Sequence, residues 1–158
     1  MWGRGVCIMS KAGRDTTTGK SYELTVEQAI NRSCSKNRLT ANPQVNIGKS
    51  PSGRRHVIDW ELVSLDDSSV RGLVSVKYQG TGGTAEEKVA YEVVKLIHAM
   101  REDSRYKRSW LVLGGVGWTP GLKLFYRDEL HEFIPDVSGK VVIITDTDTL
   151  LSTDLALD

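Results

Sequence analysis

Apolar and polar residues follow two different periods along this chain, and each change of period marks the limit of a predicted element. From Ser21 to Ser35 the apolar residues recur every three or four positions, which predicts an amphipathic helix. Thr84 to Met100 has the same pattern, with Thr84 as the expected N-cap and Glu87 where a capping box has its acid. Shorter runs between turn compositions predict strands.

Turn compositions such as SPSG and LDDSS separate the strand runs. Three strands before the second helix predict an antiparallel meander, and another strand, a short helix and a last strand follow that helix. The predicted strands are Gln44–Lys49, Arg54–Val63, Val70–Gln79, Trp110–Leu113 and Val141–Thr145, and the short helix is Leu122–Phe133. The order α, β, β, β, α, β, α, β predicts an α/β fold, a mixed sheet flanked by helices.

Composition bounds the organisation of the chain. Its 158 residues, 39% hydrophobic and 26% charged, suit one globular domain with a single core. We expect an irregular N-terminal segment over residues 1–19 and the domain over residues 20–158. No apolar run is long enough to span a bilayer, and no signal peptide is recognisable at the start. Cys7 and Cys34 lack CxxC spacing, which is typical of free thiols in a reducing compartment, so we expect a soluble, cytoplasmic protein.

Charge is distributed unevenly although the net charge is only +1. Residues 1–55 carry ten lysines and arginines against three acids, and residues 56–158 carry eleven against seventeen. The first part is therefore at +7 and the second at −6. Such a division suits a protein that holds a polyanion with one part and divalent cations with the other, and it equally suits charged loops that only keep a protein soluble.

The second and third predicted strands carry charged residues where burial is expected. Strand alternation places Asp59 and Glu61 on one face, and Ile58 and Trp60 together on the other. In the next strand Ser75 and Lys77 share a face. If the two strands are neighbours, an acid pair faces a lysine across the sheet, either as a structural salt bridge or as part of a site.

The second helix adds one more carboxylate. At about 100° per residue, Glu86 lies in the middle of the apolar stripe, whereas Glu87 and Glu92 fall off it and are predicted to be solvated. The stripe residues are Val89, Ala90, Val93, Ile97 and Met100. Because an unpartnered buried carboxylate is costly, Glu86 is predicted to meet Lys77 or a metal.

These residues suit hydrolysis of a phosphodiester. Asp59 and Glu86, with Glu61 or Glu23 as further candidates, would hold Mg²⁺ through oxygen ligands. Lys77 would orient or deprotonate the attacking water, or stabilise the charged transition state.

The sequence HVIDW at 56–60, followed by VSVK at 74–77, resembles the PD-(D/E)XK nuclease superfamily, which has an Asp on one strand and an acid-x-Lys on the next. Ile58 stands where that pattern has Pro, and Ser75 where it has an acid. The resemblance implies a restriction-endonuclease-like fold with an α-β-β-β-α-β core. It also implies that Asp59, Ser75, Lys77 and Glu86 are catalytic, with Glu86 replacing the acid missing at Ser75.

Several polar residues are candidates for contact with DNA, because binding to the phosphate backbone needs positive charge. They are Arg54, Arg55, His56, Gln79, Arg105, Lys107 and Arg108.

The expected function is that of a Mg²⁺-dependent DNA endonuclease of restriction or homing type, with Mn²⁺ able to substitute. We expect double-stranded DNA as substrate, a homodimer or higher homo-oligomer, and a prokaryotic or phage origin. A structure-selective Holliday-junction resolvase and a nuclease-fold protein that has lost catalysis are the alternatives. The loop GTGGT does not fit GxxxxGK[ST], so no nucleotide cofactor is expected.

Overall fold

A computed structural model describes residues 17–82 and 85–158, in which five strands form one sheet with helices on both faces. The larger elements are α1 Thr17–Asn37, β1 Leu39–Lys49, β2 Arg55–Ser64, β3 Arg71–Tyr78, α2 Ala85–Glu102, β4 Tyr106–Gly114 and β5 Val141–Ile144. Between β4 and β5 lie α3 Pro120–Leu124, a π-helical turn Phe125–Glu129, α4 Leu130–Phe133 and a 3₁₀ turn Pro135–Val137, and α5 Thr147–Ser152 follows β5. The predicted N-cap Thr84 and most of the 1–19 segment lie outside the described residues.

The strands are ordered β1-β2-β3-β4-β5 across the sheet. The first three form the antiparallel meander that the turn compositions predict, whereas β3, β4 and β5 run parallel. The helix α2 is the crossover from β3 to β4, as a parallel pair requires. The predicted α/β class and the mixed sheet are confirmed.

The first strand is longer than predicted. The predicted strand begins at Gln44, directly after Pro43, yet β1 begins at Leu39. Since β1 is an edge strand, a proline there does not remove a hydrogen bond that the sheet needs.

Each face of the sheet has its own apolar cluster. On one face α1 packs through Val26, Ala29 and Ile30, next to the buried Cys34. On the other face α2 packs through Val89, Val93 and Leu96. The candidate site is built on this second face. None of the helices in the described ranges is long and apolar enough to cross a membrane.

The strand β2 changes faces in its middle. Ile58 packs in the cluster on the α2 face, whereas Trp60 packs in the cluster on the α1 face. Two positions apart, these residues would share a face in a regular strand, so the prediction that they do is wrong. The residue opposite the irregular position is Gln44 on β1, whose φ is +52°. Asp59 lies between Ile58 and Trp60, at the position where β2 changes faces.

Leu111 at the centre of β4 tests the packing of the α2 face. It is fully buried, so we expect Leu111→Ala to lower the free energy of unfolding by about 2 to 5 kcal/mol, the usual cost of truncating a core leucine. Leu24→Ala on the exposed side of α1 is the matched control, with an expected change within about 0.5 kcal/mol. Equal losses in urea denaturation would contradict the described packing.

Candidate active site

The carboxylate of α2 that reaches the third strand is that of Glu92, in the third turn of the helix. The Ser75 hydroxyl donates a hydrogen bond of 2.7 Å to Oε1 of Glu92, and Lys77 Nζ lies 3.4 Å from Oε2. Ser75 and Lys77 share one face of β3, as the alternation predicts, and α2 packs on that face. Only 4% of Glu92 is exposed, so its charge depends on these partners.

A second lysine also contacts Glu92. Lys95, one turn further along α2, places its Nζ 2.6 Å from Oε2, closer than Lys77. Burial by itself would raise the pKa of Glu92, but Lys77, Lys95 and the Ser75 hydroxyl together outweigh burial and lower that pKa below its ordinary value. Glu92 is therefore a carboxylate anion at neutral pH.

Asp59, on the neighbouring strand β2, contacts the same stretch of β3. Its Oδ2 accepts a hydrogen bond of 2.8 Å from the amide of Val76, and its Oδ1 accepts one of 3.2 Å from Gln44 Nε2. The pairing of β2 with β3 ends at Trp60 and Val74. The Asp59 carboxylate therefore accepts a hydrogen bond from a backbone amide of β3 just beyond the last paired residues.

Five residues thus gather around positions 75 to 77, and we refer to them as the carboxylate–lysine cluster. They are Asp59, Ser75, Lys77, Glu92 and Lys95. Two carboxylates and a hydroxyl offer the oxygen ligands that Mg²⁺ prefers. No group of three or more His, Cys, Asp or Glu suited to a metal is found among the described residues. Two carboxylates still fit Mg²⁺, because this ion is usually bound by one or two of them together with waters and substrate phosphates.

The contact predicted between Glu86 and Lys77 is not found among the described residues. Glu86 does not pair with Lys77 but accepts hydrogen bonds from Thr119, of 2.6 Å from the amide and 3.5 Å from the hydroxyl. Glu92, predicted to be solvated, is buried, whereas Glu87 is exposed as predicted. Glu86 therefore ties α2 to the loop that precedes α3.

The error came from the assumed centre of the apolar stripe. Leu96 and Ala99, which the stripe left out, are buried, and Ala90, which it included, is exposed. At about 100° per residue, Glu92 lies about 40° from Leu96 and Glu86 about 80°. Counting Leu96 and Ala99 and leaving out Ala90 moves the centre of the stripe toward Glu92. The spacing of Glu92 and Lys95 is that of an ion pair on one helix face.

Two other predicted metal ligands lie apart from the cluster. Glu61 accepts a hydrogen bond of 2.7 Å from the Tyr106 hydroxyl and pairs with Arg71 at 3.5 Å. Burial first, and then this bond to Glu61, raise the pKa of Tyr106. Glu23 lies in α1, which packs on the opposite face of the sheet. Neither glutamate is brought to Lys77 by the contacts described.

Two of the predicted DNA contacts are buried. His56 precedes the change of face in β2 and is only 3% exposed. Gln79 is 6% exposed, because the loop after β4 covers it and its Nε2 donates a hydrogen bond of 2.8 Å to the carbonyl of Gly117. The prediction that these two side chains contact DNA is wrong, since neither is at the surface.

The charged candidates lie at two ends of the sheet. Arg54 and Arg55 are exposed at the start of β2, which is antiparallel to β3 and so begins near the end of β3 that carries Lys77. The remaining three lie at the other end, where Arg71 pairs with Tyr106. Lys77 is six positions beyond Arg71 along β3, a distance of about 20 Å. These three are Arg105, Lys107 and Arg108.

The comparison with protein families gives the class of this chain. A family described as the PD-(D/E)XK nuclease superfamily domain matches residues 15–142, well over half of the 158 residues. The chain belongs to the PD-(D/E)XK nuclease superfamily. The five-stranded mixed sheet is consistent with the restriction-endonuclease-like fold. Nucleases of this superfamily typically use divalent metals and act on nucleic acid. A search of the curated proteins matches none of them.

Replacing Glu92 by Gln tests the electrostatics of the cluster. Because the pKa of Glu92 is lowered in the fold, its contribution to stability is full above the ordinary pKa near 4.3 and is lost as the pH falls through the lower, folded value. We expect Glu92→Gln to lower the free energy of unfolding at neutral pH by about 1 to 3 kcal/mol, the range for hydrogen bonds to charged groups. The difference from wild type should shrink toward about pH 3.

The exposed Glu87 on the same helix provides the control, because Glu87→Gln makes the same chemical change without a buried partner. Urea denaturation at both pH values measures the difference. A loss for Glu92→Gln that is the same at both pH values would contradict the assigned charge state.

Proposed function

We propose that the protein is a Mg²⁺-dependent DNA endonuclease in which Asp59 and Glu92 hold the metal and Lys77 acts at the scissile phosphate. The observation that carries the proposal is the hydrogen bond of 2.7 Å between Ser75 and Glu92. Ser75 stands where the superfamily pattern has an acid, and this bond brings a carboxylate from α2 to that position. Mn²⁺ is expected to substitute for Mg²⁺.

The chain's own residues arrange the reaction. Mg²⁺ bound at the two carboxylates would supply a Lewis acid that activates water and neutralises phosphate charge. Asp59 is held by the Val76 amide and Gln44, and Glu92 by Ser75, so both are oriented before substrate arrives. Lys77 keeps 37% of its side chain exposed, which leaves its ammonium accessible to a phosphate or an attacking water.

The orientation of the substrate follows from the exposed arginines. Arg54 and Arg55 lie at the same end of the sheet as Lys77 and are proposed to contact the DNA backbone beside the cleaved bond. The three basic residues at the start of β4 are about 20 Å away by strand geometry, so they would only contact phosphates far from that bond.

Cutting both strands of a duplex with one site per chain needs two copies, so the proposal includes a homodimer acting in the cytoplasm, in restriction or homing. The alternative of a protein that has lost catalysis rested on the acid missing at Ser75. The contact between Ser75 and Glu92 weighs against that alternative, because a carboxylate is held at the position of the missing one.

Metal-dependent cleavage by matched variants tests the proposal. Lys77→Met and Glu92→Gln are each expected to lower the rate of DNA cleavage at least 100-fold, because each removes a charge that is used at the scissile phosphate. Lys88→Met, an exposed lysine on α2, is the control and should leave the rate unchanged. Glu86→Gln separates the two carboxylate assignments and should retain cleavage.

The measurement is the appearance of ends on linear duplex and four-way junction DNA with Mg²⁺, Mn²⁺ or EDTA. Cleavage that survives Glu92→Gln and is lost in Glu86→Gln would contradict the proposed ligand. Cleavage of the junction alone would favour a resolvase. Failure of the wild type to cut either DNA would favour the protein without catalysis.

A further inference from the structure

We propose that Lys95 is an internal counter-ion for Glu92 in the metal-free protein, and that a divalent cation binds only when Lys95 moves from Glu92 to His56. This inference rests on the proposed function, since it concerns the metal that the two carboxylates would hold. It assigns a role to two residues that the cleavage chemistry does not use.

The contacts of Glu92 show why Lys95 competes with a metal. Oε1 is taken by the Ser75 hydroxyl, and Oε2 is shared by Lys95 at 2.6 Å and Lys77 at 3.4 Å. A Mg²⁺ ligand oxygen lies about 2.0 to 2.1 Å from the ion. A divalent cation at Oε2 would therefore stand within a few ångströms of an ammonium already bound to the same oxygen, and the two would repel each other strongly.

Lys95 is the lysine whose departure would free Oε2 of Glu92. It is closer to Oε2 than Lys77, and 21% of its side chain is exposed. Its Nζ lies 5.7 Å from the centre of the Tyr91 ring on the same helix. Lys77 by contrast comes from the central strand β3 and has the proposed role at the phosphate. In the metal-free protein the buried carboxylate of Glu92 is thus paired with Lys95, which has no role in the proposed cleavage.

His56 lies two positions before Ile58, on the face of β2 that α2 covers, and offers the second position for Lys95. Both of its ring nitrogens are buried and have no hydrogen-bond partner among the described residues. Its pKa is lowered, first by burial and then by the charge of Lys95, with Glu92, Lys77 and His98 also acting on it. A neutral imidazole carries one acceptor nitrogen, and an ammonium that leaves Glu92 would satisfy it. Buried polar groups without partners are uncommon and call for such an explanation.

The proposal predicts opposite effects of two substitutions on metal affinity. Lys95→Met removes the competitor, so Mn²⁺ should bind roughly tenfold more tightly, as when a hydrogen bond to a charged group no longer opposes binding. His56→Phe removes the acceptor that receives Lys95, so Mn²⁺ should bind more weakly. The double variant should bind Mn²⁺ like Lys95→Met, because without Lys95 no acceptor is needed at position 56.

Calorimetric titration of Mn²⁺ into the full chain without DNA measures these affinities, so the readout does not depend on cleavage. Lys88→Met controls for the loss of any positive charge on α2, and only tightening beyond it supports the proposal. His56→Gln keeps an acceptor and should bind like the wild type, which separates the lost acceptor from a packing defect. His98→Phe controls for the neighbouring imidazole, whose Nδ1 is also buried without a partner among the described residues.

Glu92→Gln separates failure of this inference from failure of the proposed function. If Glu92→Gln weakens Mn²⁺ binding while Lys95→Met binds like Lys88→Met, the role of Lys95 is overturned and the proposed ligand stands. If Mn²⁺ binds equally well to wild type and Glu92→Gln, or to neither, both are overturned. A loss of affinity in His98→Phe, with none in His56→Phe, would overturn the assignment of His56.

Discussion

A carboxylate taken out of water needs positive charge and hydrogen-bond donors around it, and at Glu92 this constraint determines how α2 sits against β3. The side chain is 4% exposed and collects a hydroxyl and two ammonium groups. Removing one partner would leave a buried charge in part uncompensated. The helix is therefore held in the orientation that brings Glu92 to Ser75 and Lys77, the arrangement on which the proposed chemistry depends.

Asp59 depends on a second constraint, the irregularity of β2. A regular strand would point this side chain to one face of the sheet, away from the neighbouring backbone. The change of face between Ile58 and Trp60 instead lets the carboxylate accept the Val76 amide. Irregularities in strands are frequent beside active sites, where they redirect a side chain. Two carboxylates from different elements thus meet at one stretch of β3.

Much of the fold was predictable, because period and turn composition are local properties of a sequence. The shared face of Ser75 and Lys77 followed from alternation alone, whereas the direction of Asp59 depends on the change of face in β2. The glutamate from α2 did not, since its position depends on which apolar residues the helix buries, and leaving out Leu96 moved the predicted stripe toward Glu86. The burial of His56 could not be predicted either, because no periodic pattern in the sequence marks the change of face in β2 or the positive φ of Gln44.

The proposed function depends most on Asp59 and Glu92 holding one metal ion between them. Anomalous diffraction from crystals soaked in Mn²⁺ tests it most directly, because the signal locates the ion without reference to activity. We expect a peak within coordination distance of both carboxylates, beside Lys77. A peak at Glu86 or Glu61 instead, with none between Asp59 and Glu92, would contradict it.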